Sequence, residues 1–363
     1  MTKDTKYNFV KNEIMNWIIE GKVKPGEKIW SENQMMKIFN VSRHTIRQAV
    51  GELVNEGWLY REQGAGTFCK AIGQPVKESS DKNIGLITTY ISDYIFPSII
   101  RGIEQYVTSK GYSLVFASTN NDVEKEKMCL QMMMSKNLDG LIIEPTKSAY
   151  QNPNIHYYLL LEERNIPYLM INAYYHELNP SYIIVDDELG AFLLTEHLIK
   201  LGHRKIAGLF KTDDQQGINR LRGYIRAFRT YDIPLDSNLV VTYQTEEKTT
   251  KPISMIESIL KSETNAPTGI VCYNDELALN ILEVIRSLHL KVPDDVSVVG
   301  FDDSQLAVAS EVKLTTVTHP KMDLGIEAAK RIIRMIEGKK SEEELTKIFT
   351  PELIIRESTK PIS

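Results

Sequence analysis

The feature that most constrains the fold is the regular return of short apolar runs between amphipathic stretches, from Ile84 almost to the end of the chain. Five runs come first: IGLITTY (84–90), YSLVFAS (112–118), DGLIIEP (139–145), IPYLMIN (166–172) and YIIVDD (182–187). Four more follow: KIAGLF (205–210), LVVTY (239–243), GIVCYN (269–274) and VSVVGFD (296–302). Each is of strand length, whereas the intervening SIIRGIEQYVTSKG, NRLRGYIRAFRTY and ELALNILEVIRSLHL carry apolar residues at helical spacing. Alternation of this kind predicts an α/β fold of parallel sheets flanked by helices. Two successive series predict two lobes, with a ligand at the carboxyl ends of the strands, in the cleft between them.

The first 70 residues follow another pattern. Phe9/Val10, Ile14 and Trp17/Ile18 form a helical stripe running from Tyr7 to Gly21. Ser31 precedes Gln34 by three residues, a capping-box spacing that opens a helix ending near Phe39. Ser42 caps a further helix with an apolar face of Ile46, Val50, Leu53 and Val54, closed by Gly57. WLYREQGAGTFCK then reads as two short strands around a glycine turn. Residues 71–83, polar and carrying Gly, Pro and paired Ser, read as a linker, giving a head (1–70), a linker (71–83) and a body (84–363).

Charge supports that division. The net charge is −5, yet residues 1–70 hold eleven Lys/Arg against eight Asp/Glu, so the head is +3 and the remainder −8. A small cationic head on an acidic body fits an anionic partner for the head alone. The start, MTKDTKYNF, lacks an apolar core and cleavage site of a secretion signal, and no apolar run approaches the ~20 residues that span a bilayer. Cys69, Cys129 and Cys272, without CxxC or His-rich spacing, read as inert thiols, and the expectation is a cytoplasmic protein with no metal and no cofactor.

The head's chemistry lies at the start of its third helix. A recognition helix presents its N-terminal residues to base edges and phosphates; here these are Ser42, Arg43, His44 and Thr45, with Arg47 one turn on. Gln63 and Gly64, at the hairpin tip, suit entry into the adjacent minor groove. A solvated helix start and an ordinary turn explain any one of these features, but not their combination. Together with PGEKIWSE (25–32), VSRHTIRQAVGELVNEGWL (41–59) and GAGTF (64–68), residues 7–68 resemble the winged helix-turn-helix head of the GntR family of bacterial regulators. The resemblance implies that Arg43, His44 and Arg47 contact double-stranded operator DNA, that Glu32 opens the supporting helix nearby, and that Gln63 and Gly64 form the wing. Trp30 stands where that family usually has proline, a departure expected to alter local packing only.

DGLIIEP, RLRGY (220–224), YNDELAL (273–279), VPDDVSVVGFDDS (292–304) and LTTVTHP (314–320) make residues 84–360 similar to the effector domain of the LacI/GalR family, a relative of periplasmic sugar-binding proteins. With YISDYIFPSIIRGIE (90–104) and PELIIRES (351–358), the pairing of head and body resembles the arabinose-responsive repressors of Gram-positive bacteria. It implies a homodimer released from its operator by L-arabinose; a response to another sugar, or a ligand acting as co-repressor, stays open. A pentose needs acceptors, a multidentate donor and an aromatic platform. The strand ends offer Tyr94, Phe96, Glu144, Asn172, Asp213, Gln216, Arg220, Asn274 and Asp302. The resemblance implies Arg220, Asn274 and Asp302 most directly and Glu144 less so, while Tyr94, Phe96, Asn172, Asp213 and Gln216 follow from position alone. Each also has a plain structural reading: Phe96 as core, Arg220 as a surface arginine, Asn274 and Asp302 as caps, Asp213 and Asp214 as a solvated acidic loop.

An enzyme is not expected. The chain has no nucleophile elbow, no phosphate-binding glycine loop after a strand and no HExxH, and Glu144 with Asp302 is a pair that sugar-binding sites also use. A secreted binding protein of the same body fold would carry a signal peptide and no DNA-binding head.

Overall fold

The computed structural model describes residues 6–19, 21–62, 64–70, 82–92, 94–339 and 346–362. The head comprises α1 (Lys6–Ile19), α2 (Glu32–Phe39), α3 (Arg43–Asn55) and a hairpin of β1 (Leu59–Glu62) and β2 (Gly66–Cys69) paired antiparallel. Ser31 and Gln34 make the reciprocal capping box on α2, and the Ser42 hydroxyl accepts from the Thr45 N–H to start α3. Asn40, left-handed at φ 52°, closes α2 and turns the chain into α3. Val10, Ile14, Ile46 and Leu53 form the fully buried centre. Trp30 packs against Trp17, ring centroids 4.4 Å apart, so the substitution for proline extends this small core outward.

The body begins with β3 (Asn83–Thr88) and alternates through α4 (Phe96–Ser109), β4 (Ser113–Ser118), α5 (Val123–Ser135), β5 (Gly140–Ile143), α6 (Ile155–Glu163), β6 (Tyr168–Ile171) and β7 (Ser181–Val185). Asn83, expected in the linker, is already the first residue of β3 and donates its N–H to Asp139 Oδ2 at 2.9 Å. Residues 71–81 of that linker lie outside the described residues. The second lobe holds α7 (Asp187–Lys200), β8 (Ile206–Lys211), α8 (Gln215–Thr230), β9 (Val240–Tyr243), α9 (Lys251–Leu260), β10 (Gly269–Cys272), α10 (Asp275–Ser287), β11 (Ser297–Val299), α11 (Gln305–Ala309) and β12 (Thr316–Val317). The chain ends with α12 (Lys321–Ile336), β13 (Thr346–Phe349) and β14 (Leu353–Ile354).

Both main sheets are parallel, ordered β13-β7-β6-β5-β3-β4 in the first lobe and β11-β10-β8-β9 in the second. The lobes are not simply consecutive, as the two-series reading expects. After β12 the chain returns to the first lobe, where α12 packs on α4 and β13 pairs with β7, before β14 crosses back to pair with β12. Glycines let α12 and α4 meet backbone to backbone: a Cβ on Gly325 would lie 2.2 Å from the Ile99 carbonyl oxygen, and one on Gly102 2.4 Å from that of Met322. In each lobe the order reverses about one strand, β3 or β8, so the loops after β3 and β5, and after β8 and β10, diverge into a crevice. The head sits on the first lobe, with Gln131 of α5 donating to Asn16 Oδ1 (2.8 Å) and the Arg164 guanidinium 4.1 Å from the Trp58 ring centre.

Gly223 gives α8 the same close approach to α7, since a Cβ there would lie 2.1 Å from the Glu188 carbonyl oxygen. Gly223→Ala is expected to lower stability by about 2 kcal/mol through overpacking. Gly51→Ala, in α3 with no atom within 4 Å of the added carbon, is expected to raise it by about 0.8 kcal/mol. Urea unfolding of the two variants checks both signs.

Candidate functional site

On the head, Arg43, His44 and Arg47 are exposed at the first turns of α3. Glu32, first residue of α2, accepts from Arg47 Nε at 2.9 and 3.1 Å and lies 3.8 Å from Arg43 Nε, while Arg43 also donates to Asn33 Oδ1 (2.6 Å). Glu32 therefore orients both arginines. Exposed pairs of this kind hold by less than ~1 kcal/mol, which a phosphate readily displaces. Ser42 and Thr45 are joined hydroxyl to hydroxyl at 2.9 Å as part of the cap. Gly64 lies in the hairpin turn at φ 80°, a left-handed conformation that suits glycine; Gln63 lies outside the described residues. Asn33, the partner of Arg43, is the residue the sequence reading misses; nothing in the spacing marks it.

In the body, the strand-end loops enclose a cavity of about 120 Å³ between the lobes, small beside the ~300–1,000 Å³ typical of sites for drug-sized ligands. Tyr94, Phe96, Glu144, Asn172, Gln216, Arg220, Asn274 and Asp302 all line it. From the first lobe, Glu144 is buried and accepts from the Thr89 N–H (2.9 Å), the Thr89 hydroxyl (2.5 Å) and Asn172 Nδ2 (2.8 Å). Burial raises its pKa against those donors. Asn172 follows β6 in a left-handed conformation (φ 64°), and its buried Oδ1 has no hydrogen-bond partner among the described residues. Phe96 is both: it belongs to the first lobe's apolar core and lines the cavity, with Tyr90 edge-on to it.

From the second lobe, Arg220 is the centre. Its Nε donates to Asp187 Oδ1 (2.8 Å), one terminal nitrogen to the Tyr273 carbonyl (2.6 Å) and the other to Asp302 Oδ1 (3.3 Å). Its guanidinium lies 3.6 Å from the Phe301 ring centre. Burial acts to lower the Arg220 pKa, but Asp302 and Asp187 outweigh it and raise it. Burial pushes the Asp187 carboxyl up to about 6, with Arg220 pulling the other way. Asn274 caps α10, accepting from the Leu277 N–H (2.9 Å), and faces the cavity as well. Asp302 is buried at φ 92°, beyond the turn that follows β11.

Asp213 does not line the cavity. It is fully buried, and its Oδ2 accepts from the Thr245 N–H (3.0 Å) and lies 3.0 Å from Lys147 Nζ. Its neighbour Asp214 takes the place expected for it, capping α8 through the Gly217 N–H (2.7 Å) and accepting from the Tyr273 hydroxyl (2.8 Å). Successive side chains of one loop diverge, and sequence order does not say which faces inward. Lys211, Asp187, Thr89 and His319 also line the cavity and are absent from the sequence reading. Lys211 ends β8, 2.8 Å from Asp214; burial acts to lower its pKa, yet Asp214 and Asp213 hold it above the ordinary lysine value. His319, desolvated to a pKa of about 4, is neutral, and its Nδ1 has no partner among the described residues. Asp187 stands in the YIIVDD run itself, and Lys211 directly follows KIAGLF, so position at a strand end was the available signal. No group of His, Cys, Asp and Glu suited to a metal occurs among the described residues, and no helix there is long and apolar enough to cross a membrane.

Acceptors, donors and an aromatic wall line this partly open space, a lining able to hydrogen-bond a neutral polyhydroxylated ligand. Residues 6–69 match the bacterial regulatory proteins of the gntR family, and residues 195–359 match the periplasmic binding protein-like domain. The chain is similar in structure to the transcription regulator CcpA of Lactococcus lactis, with a TM-score of 0.68 and 25% identity over 77% of this chain and 100% of that one. It is 54% identical to the arabinose metabolism transcriptional repressor of Halalkalibacterium halodurans, over 98% of this chain and 97% of that protein. The protein of the same description from Geobacillus stearothermophilus is 53% identical, over 98% of both. Alike along almost their whole lengths, from recognition helix to final strand, the two show that this chain belongs to the family of arabinose metabolism transcriptional repressors.

Proposed function

We propose that this protein is a cytoplasmic, non-enzymatic repressor of arabinose-utilisation genes, and that L-arabinose bound between the lobes releases it from operator DNA. The observation that carries the reading is a cavity of monosaccharide size, built around the Arg220 fork, behind a head that exposes Arg43, His44 and Arg47 at the first turns of α3. A homodimer presents two heads to the half-sites of an imperfect palindrome. The sugar's hydroxyls donate to Glu144, Asp302 and the free Asn172 Oδ1 and accept from Arg220 and Lys211. A ligand that touches both lobes binds the closed form better than the open one, and the closed population displaces the heads from DNA. By the same coupling, operator DNA weakens sugar binding by an equal factor.

The direct test is operator binding at one stated salt concentration, titrated with L-arabinose, D-xylose and D-galactose. Release by L-arabinose alone is expected; retention of DNA with all three overturns the effector assignment. Arg47→Ala is expected to weaken operator binding roughly 10- to 100-fold with sugar affinity unchanged. Arg220→Lys keeps a cation but loses the fork between two carboxylates, and is expected to hold DNA at sugar concentrations that release the parent.

Proton uptake gives an independent signature. Asp187, at about 6, must be ionised to hold Arg220, so sugar affinity should fall as pH drops from 7.5 to 5.5 and should fall less in Asp187→Asn. The stability contribution has the opposite sign. A carboxyl raised above its unfolded value binds protons more tightly when folded, so its contribution is full below about 3.8 and is lost as pH rises through about 6. Calorimetry of both proteins across that window separates the two effects.

A further inference from the structure

We propose that Lys147 is a positioning residue for sugar binding: it reaches from the first lobe to Asp213 and Glu246 of the second and sets how far the lobes close, without touching the sugar. This rests on the reading of the cavity as a sugar site. Lys147 lies in the loop after β5, its Nζ 2.6 Å from Glu246 Oε1 and 3.0 Å from Asp213 Oδ2. Neither Lys147 nor Asp213 lines the cavity. The loop that carries the lysine is itself fixed, because the Lys147 N–H donates to Asn121 Oδ1 at 2.8 Å and the Thr146 hydroxyl to that of Thr119 at 2.9 Å. Two further bonds cross the cleft beside it, from Asn121 Nδ2 to the Thr245 hydroxyl (2.6 Å) and from the Gln215 N–H to the Ser148 hydroxyl (2.9 Å). Elsewhere across the cleft, Tyr94 donates to the Phe301 carbonyl (2.7 Å) and accepts from the Asp275 N–H (3.1 Å).

The two carboxylates are not equivalent partners. Glu246 is largely exposed, so its pairing with Lys147 contributes little. Asp213 is fully buried in this structure, and its other oxygen has no hydrogen bond among the described residues and lies 3.6 Å from Lys211. A buried carboxylate short of a partner is costly, and here the cost falls on one state only. When the lobes separate, water reaches Asp213; when they close, Lys147 replaces that water. Removing the lysine therefore penalises closure and leaves the open form unchanged. Apparent affinity scales with the fraction of protein able to close, so every ligand loses by the same factor.

The experiment is calorimetric titration of the full-length protein with L-arabinose, for the parent and for Lys147→Met, Lys147→Arg and Lys147→Met/Asp213→Asn, with melting temperatures as a check on folding. Lys147→Met is expected to bind about tenfold more weakly, within the usual range of such couplings. Lys147→Arg should restore most of the loss. The double variant should bind more tightly than Lys147→Met alone, because Asp213→Asn removes the charge that needs compensation; a lysine that only packs the loop would not be rescued that way. Parental affinity in Lys147→Met, or no recovery in the double variant, overturns the proposal. If the parent itself binds no L-arabinose, the sugar reading fails. The clasp is then decided by X-ray scattering of the ligand-free proteins, where a larger radius of gyration for Lys147→Met supports it and an unchanged one overturns it.

Discussion

The buried guanidinium of Arg220 is the interaction on which the second lobe's half of the cavity depends. It joins the starts of α7 and α8, the end of β10 and the turn after β11 through Asp187, the Tyr273 carbonyl and Asp302, and it lies against Phe301. An arginine in this place is paired at great electrostatic expense: each ion gives up its water, and only near-complete hydrogen bonding offsets that loss. Burial lifts the Asp187 pKa to about 6 in spite of a cation 2.8 Å away, as incomplete compensation for lost water requires. The same fork that organises the fold leaves the arginine facing the cavity, so on the proposed function a ligand hydroxyl would meet a donor already held in place. Gly223, three residues on in the same motif, lets α8 lie close enough to α7 for Arg220 and Asp187 to meet at all.

The first lobe builds its half differently. Among the described residues no cation lies as close to Glu144 as Arg220 does to Asp187; Thr89 and Asn172 hold it with neutral donors from the ends of β3 and β6. One wall is thus made of ion pairs and the other of neutral hydrogen bonds, and the cavity exists only where the two are brought together. The returning segment of α12 and β13 makes that joining precise. The chain crosses between the lobes three times, after β7, after β12 and after β13, so three segments join them.

Much of this was legible in the sequence, and the exceptions share a cause. Period-two and period-3.6 patterns locate nine body strands, eight of them to within two residues at either end and β11 to within three, and the Ser31–Gln34 and Ser42 caps fix the head's second and third helices. Eight of nine cavity positions were reachable because strand ends in a doubly wound sheet converge. What stayed hidden needed orientation in three dimensions. Asp213 and Asp214 are adjacent and chemically identical, yet Asp214 faces the cavity and Asp213 the opposite lobe. Lys147 reads as an ordinary loop lysine, since its partners lie 66 and 99 positions away. The return of β13 to the first sheet is invisible because periodicity reports that a strand is half-buried and not which sheet buries it.

The head's seat on the first lobe bears on the proposed release from DNA. Glu126 of α5, fully buried, accepts from the Tyr158 and Tyr175 hydroxyls and from Asn152 and Asn154, and so ties the loop after β5 to the helices beneath the head. Four neutral donors satisfy this one carboxylate and join α5, α6 and the loop after β5 on that side of the lobe. The seat itself is poorly satisfied: Trp58 Nε1 and Arg164 Nε are buried without hydrogen-bond partners among the described residues, and burial lowers the Arg164 pKa to about 10. Undocking the head returns both groups to water, which offsets part of the cost of exposing the apolar surface beneath it. Because head and first lobe share one continuous apolar core, a closure of the lobes would shift where the head rests without rebuilding either domain. On this reading the coupling between sugar and DNA resides in the position of a whole lobe and needs no chain of rearranged side chains.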